Sequence, residues 1–142
     1  MPYNKPDANK PLGWYLKEAD QLITISFEEE FDKHCITRFH WMILRILAVK
    51  KELDINLHYN DVKFFLSLDR LKGVIDNLET RGWVTSVKKD TYKLTEVGHK
   101  HYTEVDSAYQ EKLKQMMKGI SEDEYNTTVK TLNNIVLNLR TK

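Results

Sequence analysis

One cysteine, Cys35, stands in a chain of 142 residues, so no disulfide can form within it. Lone thiols are at home in a reducing compartment, and the cytoplasm is the expected location. Proline is confined to Pro2, Pro6 and Pro11. Residues 1–11 therefore read as an extended arm, and the absence of proline beyond it suits a mostly helical domain. No apolar run approaches the ~20 residues that span a bilayer, and Met-Pro-Tyr-Asn-Lys-Pro lacks the apolar stretch of a secretory signal. Equally missing are a Gly-rich phosphate loop, a Gly-x-Ser-x-Gly elbow and a metal-hydrolase helix. Five histidines are too scattered for a catalytic triad. These absences point away from an enzyme, a membrane protein and a cofactor-dependent protein.

What is present is an ordinary soluble composition, 41% hydrophobic and 30% charged, with enough length for one domain. Net charge is only +1, but it is unevenly spread. Residues 1–34 hold 4 basic and 7 acidic side chains, residues 35–95 hold 11 and 7, and residues 96–142 hold 7 of each. The middle third is the basic part, and it would draw the protein weakly toward a polyanion.

Hydrophobic periodicity gives the elements. Leu12, Tyr15, Leu16, Ala19, Leu22, Ile23, Phe27 and Phe31 recur at three- and four-residue steps, which predicts a helix over 12–31. Thr37 is the expected cap of a second helix reaching Lys50. A short helix is expected from an Asn60 cap to about Leu66. The next runs from Ser67 or Leu68 to Arg81 and stops at Gly82, the residue type that best takes the left-handed conformation after a helix. The period then changes to two short β-rich runs, 83–88 and 91–95, separated by Lys89-Asp90, which predicts a tight hairpin. A long helix follows from about Val97 to Lys118, closed by Gly119. Ser121-Glu122-Asp123-Glu124 is a capping box for a last helix with Tyr125, Val129, Leu132, Ile135, Val136 and Leu139 on one face.

Three helices followed by a hairpin is the winged helix-turn-helix layout, so the expected fold is mainly α with one small β-hairpin. Leu71–Val84, LKGVIDNLETRGWV, resembles the recognition-helix signature of the MarR (multiple antibiotic resistance regulator) family, in Leu78, Gly82, Trp83 and Val84. Leu94-Thr95-Glu96-Val97-Gly98 resembles that family's Leu-Thr-x-x-Gly junction. The resemblance implies a DNA-binding lobe over 36–95 and dimerisation helices over 12–34 and 97–140, all within one domain, 12–142. It implies a homodimeric transcriptional regulator that binds double-stranded DNA and is released by a small aromatic ligand. Two departures stand out. The wing lacks the family's Asp-Arg-Arg type of motif and is several residues short, and Asp69 stands where a small hydroxyl residue is common. They motivate a contrasting reading, a winged-helix dimer that serves as a protein-interaction adaptor with little specific DNA binding.

Arg70, Lys72 and Asn77 are the candidates for base or phosphate contact, since arginine pairs bidentately with guanine and asparagine with adenine. Lys63, Lys88, Lys89 and Lys93 are candidates for phosphate contact, which positions without specifying. The competing reading of all seven is a solvated polar surface. For the aromatic ligand, the resemblance implies a crevice among Trp14, Tyr15, Phe27, Phe39, Trp41, Tyr102 and Tyr109, although aromatic residues at helical spacing also build cores. Cys35 with His34, His40, Glu30, His99 and His101 invites comparison with zinc-sensing relatives, but no Cys-x-x-Cys or His-x-x-x-His spacing exists, so no metal is expected. Cys35 as a peroxide-sensing thiol is a further alternative, and a small buried cysteine is the plainer one.

Overall fold

The computed structural model describes residues 5–140. In chain order the elements are α1 (Leu12–Asp32), α2 (Arg38–Lys50), β1 (Leu53–Asp54), α3 (Ile55–Val62), α4 (Leu68–Thr80), β2 (Val84–Lys88), β3 (Thr91–Leu94), α5 (Glu96–Met116) and α6 (Glu122–Arg140). The chain divides into two units, residues 1–110 and 111–142, with the boundary inside α5. The first four residues of the expected arm lie outside the described residues. The rest of the arm is not extended throughout. Asp7 turns the chain by accepting from the Asn9 N–H on its carboxylate and from the Lys10 N–H on its carbonyl, and its own N–H donates to the Tyr15 hydroxyl at 2.7 Å.

The core of the first unit sits where α2, α4 and the small sheet meet. Ile43, Leu44 and Leu47 of α2 and Leu71, Ile75 and Leu78 of α4 are all at most 1% exposed. Each such side chain taken out of water contributes about 1.5–3 kcal/mol. Ser67 caps α4 by accepting from the Arg70 N–H at 3.2 Å. Gly82, at φ +79°, lets the chain leave α4 and turn directly into the hairpin. Thr37 caps α2 in a reciprocal arrangement in which His40 stands where a capping box usually has Glu or Gln.

Two expectations are corrected. The short helix starts five residues before Asn60, because the Asp54 carboxylate caps it, accepting from the N–H groups of Asn56 (2.8 Å) and Leu57 (3.2 Å). Asn60 lies inside the helix, and residues 63–67 form the turn into α4. The hairpin is joined by a third strand. β1 pairs antiparallel with β3, Leu53 opposite Tyr92 and Asp54 opposite Thr91, giving the order β1-β3-β2.

The junction between hairpin and α5 accounts for the Thr95-x-x-Gly98 spacing. The Thr95 hydroxyl accepts from the Gly98 N–H at 3.0 Å and donates to the Gly82 carbonyl. Gly98 lies so near Trp83 that an added Cβ would fall 2.0 Å from the Trp83 carbonyl oxygen. Glycine is required here by a close approach of backbone to backbone. In the second unit, Ser121 and Glu124 form the expected capping box of α6, Ser121 N–H to Glu124 Oε1 at 2.9 Å and Glu124 N–H to Ser121 Oγ at 3.0 Å. Gly119, at φ +77°, provides the turn before it.

Candidate nucleic-acid interface

The α3–turn–α4 segment and the adjoining hairpin carry most of the candidate residues. On α4 the buried stripe Leu71, Ile75 and Leu78 fixes which side chains face away from the core. The outermost line is Asp69, Gly73, Asp76 and Thr80, with Arg70 and Lys72 on its two flanks. All six are exposed. Arg70 and Lys72 therefore bracket the helix rather than sharing a face, and two carboxylates stand between them. A carboxylate repels phosphate but can accept from the amino group of cytosine.

Asn77 is placed differently from the expectation. It sits two turns beyond Arg70 on the same flank, and its Oδ1 is 3.0 Å from His40 Nε2 of α2. The proton positions follow from the partners of the imidazole. Nδ1 accepts from the Thr37 N–H at 3.2 Å, so the ring proton is on Nε2 and is donated to Asn77. That contact ties α4 to α2 and uses one of the two acceptor sites of the Asn77 carboxamide oxygen. Burial holds the His40 imidazole below its ordinary value near 6.5, the Asn77 bond works against that, and the Arg81 charge adds to it.

At the turn before α4, Phe39, Phe64 and Phe65 form a ring series with basic side chains on it. Phe65 stacks on Phe39 at 6.2 Å between centroids, and Phe64 stands edge-on to Phe65 at 4.5 Å. The Arg38 and Arg70 guanidinium groups lie 4.9 and 5.8 Å from the Phe39 centroid. Lys63, which closes α3, is exposed beside this series in sequence. Sequence reading missed Phe64 and Phe65 because both were counted as part of a helix that ends before them.

The wing is short and fastened. Its β2–β3 ladder runs from Val84 opposite Leu94 to Lys88 opposite Thr91, with an irregularity between Ser86 and Lys88 that leaves Val87 out of register. Asp90 takes the turn at φ +61°, accepts from the Ile55 N–H on its carbonyl at 2.9 Å, and receives the Asn56 amide on its carboxylate at 3.1 Å. The tip is thus bonded to the start of α3, and Lys88, Lys89 and Lys93 are exposed along it.

The seven aromatic residues do not gather at one place. Phe27, Trp41, Tyr102 and Tyr109 do meet, joined by Phe31. Trp41 lies 4.7 Å from Tyr109 and 5.4 Å from Tyr102, and Phe27 lies 4.9 Å from Tyr109. Phe27, Phe31 and Trp41 are buried, so this cluster is a packed core between α1, α2 and residues 102–109 of α5. Phe39 is drawn away to Phe65. Trp14 and Tyr15 sit at the start of α1, where Trp14 lines a separate, open hollow of about 450 Å³ with Pro11, Lys17, Glu18 and Gln21. Cys35 is exposed rather than buried, in a left-handed turn (φ +58°) whose carbonyl accepts from the Arg81 guanidinium at 2.8 Å. Among the described residues no three His, Cys, Asp or Glu side chains come together as a metal site, and no helix is long and apolar enough to cross a membrane.

No family model and no curated protein matches the chain. Solved structures match nearly all of it. Ligand-free NadR is 21% identical, with 93% of this chain and 100% of that one covered, at a TM-score of 0.76. BpsR of Bordetella bronchiseptica, whose DNA binding is regulated by 6-hydroxynicotinic acid, is 16% identical over 94% and 98% of the two chains, at 0.74. The reduced form of MarR from E. coli is 20% identical over 89% and 93%, at 0.70. These likenesses show the fold: the chain has the MarR-like winged-helix fold.

Proposed function

We propose that the chain is a MarR-family transcriptional regulator of the cytoplasm that binds double-stranded DNA sequence-specifically as a homodimer and is released by a small aromatic ligand. The observation that carries this reading is a capped, firmly packed α4 that presents Arg70 on its exposed first turn, in the fold of regulators such as BpsR. In winged-helix proteins that end of the helix meets base edges in the major groove. Arg70 would contact guanine, with Asp69 accepting from cytosine. Lys72, Lys63, Lys88, Lys89 and Lys93 would hold phosphates. Asn77 would keep α4 in place through His40.

Dimerisation is supported by apolar side chains left in water. Leu12, Trp14, Leu22 and Ile23 on α1 are 42–59% exposed, and α6 has no buried residue although its stripe is apolar. Two copies related by a two-fold axis would set their α4 helices in successive major grooves ~34–36 Å apart. For the ligand, the fold likeness includes NadR in complex with 4-hydroxyphenylacetate, and a MarR family protein of Mycobacterium tuberculosis, RV2887, in complex with salicylic acid. Phenolic acids of that kind are the first compounds to try.

The test is selection of binding sites from random duplexes, followed by a salt series on the best site. Specific binding should weaken steeply with salt. Arg70→Ala should remove about 1–3 kcal/mol of preference between bases, whereas Lys88→Ala should weaken every duplex alike. Flat, feeble binding to all duplexes would overturn the reading in favour of the adaptor.

A further inference from the structure

Phe64 is the most exposed of the large apolar side chains described, at 78%. Val62 and Leu66 on either side are 3% and 4% exposed, and Phe65, at 41%, is partly covered by Phe39. The turn is thus anchored by Val62 and Leu66, Phe65 is half covered, and Phe64 is aimed outward. Single exposed apolar residues are common on proteins and by themselves mean little. The surroundings of this ring are less ordinary. Phe64 is held edge-on by Phe65, Phe65 is held by Phe39, and Phe39 carries the guanidinium of Arg70 on its face. One aromatic base therefore supports both the outward ring and the arginine at the start of α4. Lys63 precedes the ring, and Arg38, which also reaches Glu28 at 3.8 Å, lies over the same Phe39. An apolar tip that follows Lys63 and shares its aromatic base with Arg38 and Arg70, in the turn leading into the helix read above as the groove-facing one, complements a surface with two traits. That surface is anionic, and it offers an apolar group close to a hydrogen-bonding edge. Duplex DNA has both, since the thymine C5-methyl projects into the major groove beside the acceptors of its neighbours.

We propose that Phe64 reads a thymine methyl next to the base pair contacted by Arg70, so that each half-site carries a required thymine. The inference rests on the DNA-binding reading above and adds a second specificity-determining residue to it. Uracil isolates the contact, because it pairs as thymine does and lacks only the methyl.

The experiment takes the duplex selected by the whole protein and replaces its thymines by uracil one position at a time. For the unaltered protein, one position per half-site should lose about fourfold in affinity, as expected for one methyl withdrawn from an apolar contact. Phe64→Ala should bind the parent duplex about fourfold more weakly per half-site and show no further response to uracil. It should keep its melting temperature, since the ring is in water. Uniform affinity across all uracil duplexes, or a full uracil response in Phe64→Ala, overturns the assignment while leaving sequence-specific DNA binding intact. A change of oligomeric state in Phe64→Ala overturns it in favour of a protein contact. Failure to select any duplex over random DNA removes the DNA-binding reading itself, and the proposal with it.

Discussion

Helices α4 and α6 carry the same kind of apolar stripe and meet opposite fates. On α4, Leu71 and Leu78 are fully buried and Ile75 is 1% exposed. On α6, Tyr125, Val129, Val136 and Leu139 are 43–62% exposed, and no residue is buried. Periodicity identifies a helix and the face it needs to cover, but it does not say whether the cover comes from the same chain. Where the stripe is met inside the first unit, its loss should be felt by the single chain. Where it is not, its loss should be felt in association.

The sharpest way to break this contrast is a pair of truncations. Leu71→Ala should lower stability by about 2–5 kcal/mol, from lost transfer energy and the cavity left behind. In thermal unfolding its effect should be the same at every protein concentration. Val136→Ala should instead raise the dimer dissociation constant in sedimentation or light scattering, and its melting temperature should fall on dilution. A Val136→Ala loss independent of concentration would show that α6 is covered within its own chain.

A smaller effect tests how tightly the first unit is joined. Gly98→Ala should cost about 1–3 kcal/mol in denaturant unfolding, because its new methyl meets the Trp83 carbonyl rather than a side chain that can step aside. The least is expected from pH. His40 is bound in its neutral form, with its pKa held below 6.5 chiefly by burial. The unfolded chain therefore takes up the proton first. Stability on this account is complete above pH 6.5 and is lost as pH falls through the lower folded value. Unfolding measured between pH 8 and pH 5 should show that slope, and His40→Gln should reduce it. His58, buried and shifted the same way, accounts for a slope that persists in the variant.

Sequence and structure agree where a feature is local. Gly82 ending α4, the Ser121–Glu124 box and the Thr37 cap each involve residues within a turn of one another, and each is where the sequence places it. The disagreements are contacts at a distance or choices between equals. Asp54 and Asn60 are both good caps, and β1 decides for Asp54 by pairing with β3, about 38 residues away, a separation that no local pattern reports. Asn77 is turned toward α2 by a histidine 37 residues before it. The resemblance to the MarR family rests on Leu78, Gly82, Trp83, Val84 and the stretch Leu94-Thr95-Glu96-Val97-Gly98, of which Gly82 and Gly98 are the positions where backbone geometry leaves little choice of residue. The aromatic cluster was half legible, because helical spacing shows that rings share a face but not which rings meet.

The contact between Gly98 and Trp83 has a mechanical corollary. Trp83 follows Gly82 after the end of α4 and immediately precedes the first strand of the wing, so the start of α5 is keyed against the link between the two, with Thr95 bonded across the joint. Backbone lodged against backbone leaves no slack for sliding. Helix α4, the root of the hairpin and the first turn of α5 are therefore keyed together as one piece. If the proposed dimer forms, a change in the separation of two such pieces would have to come from bending elsewhere in the chain.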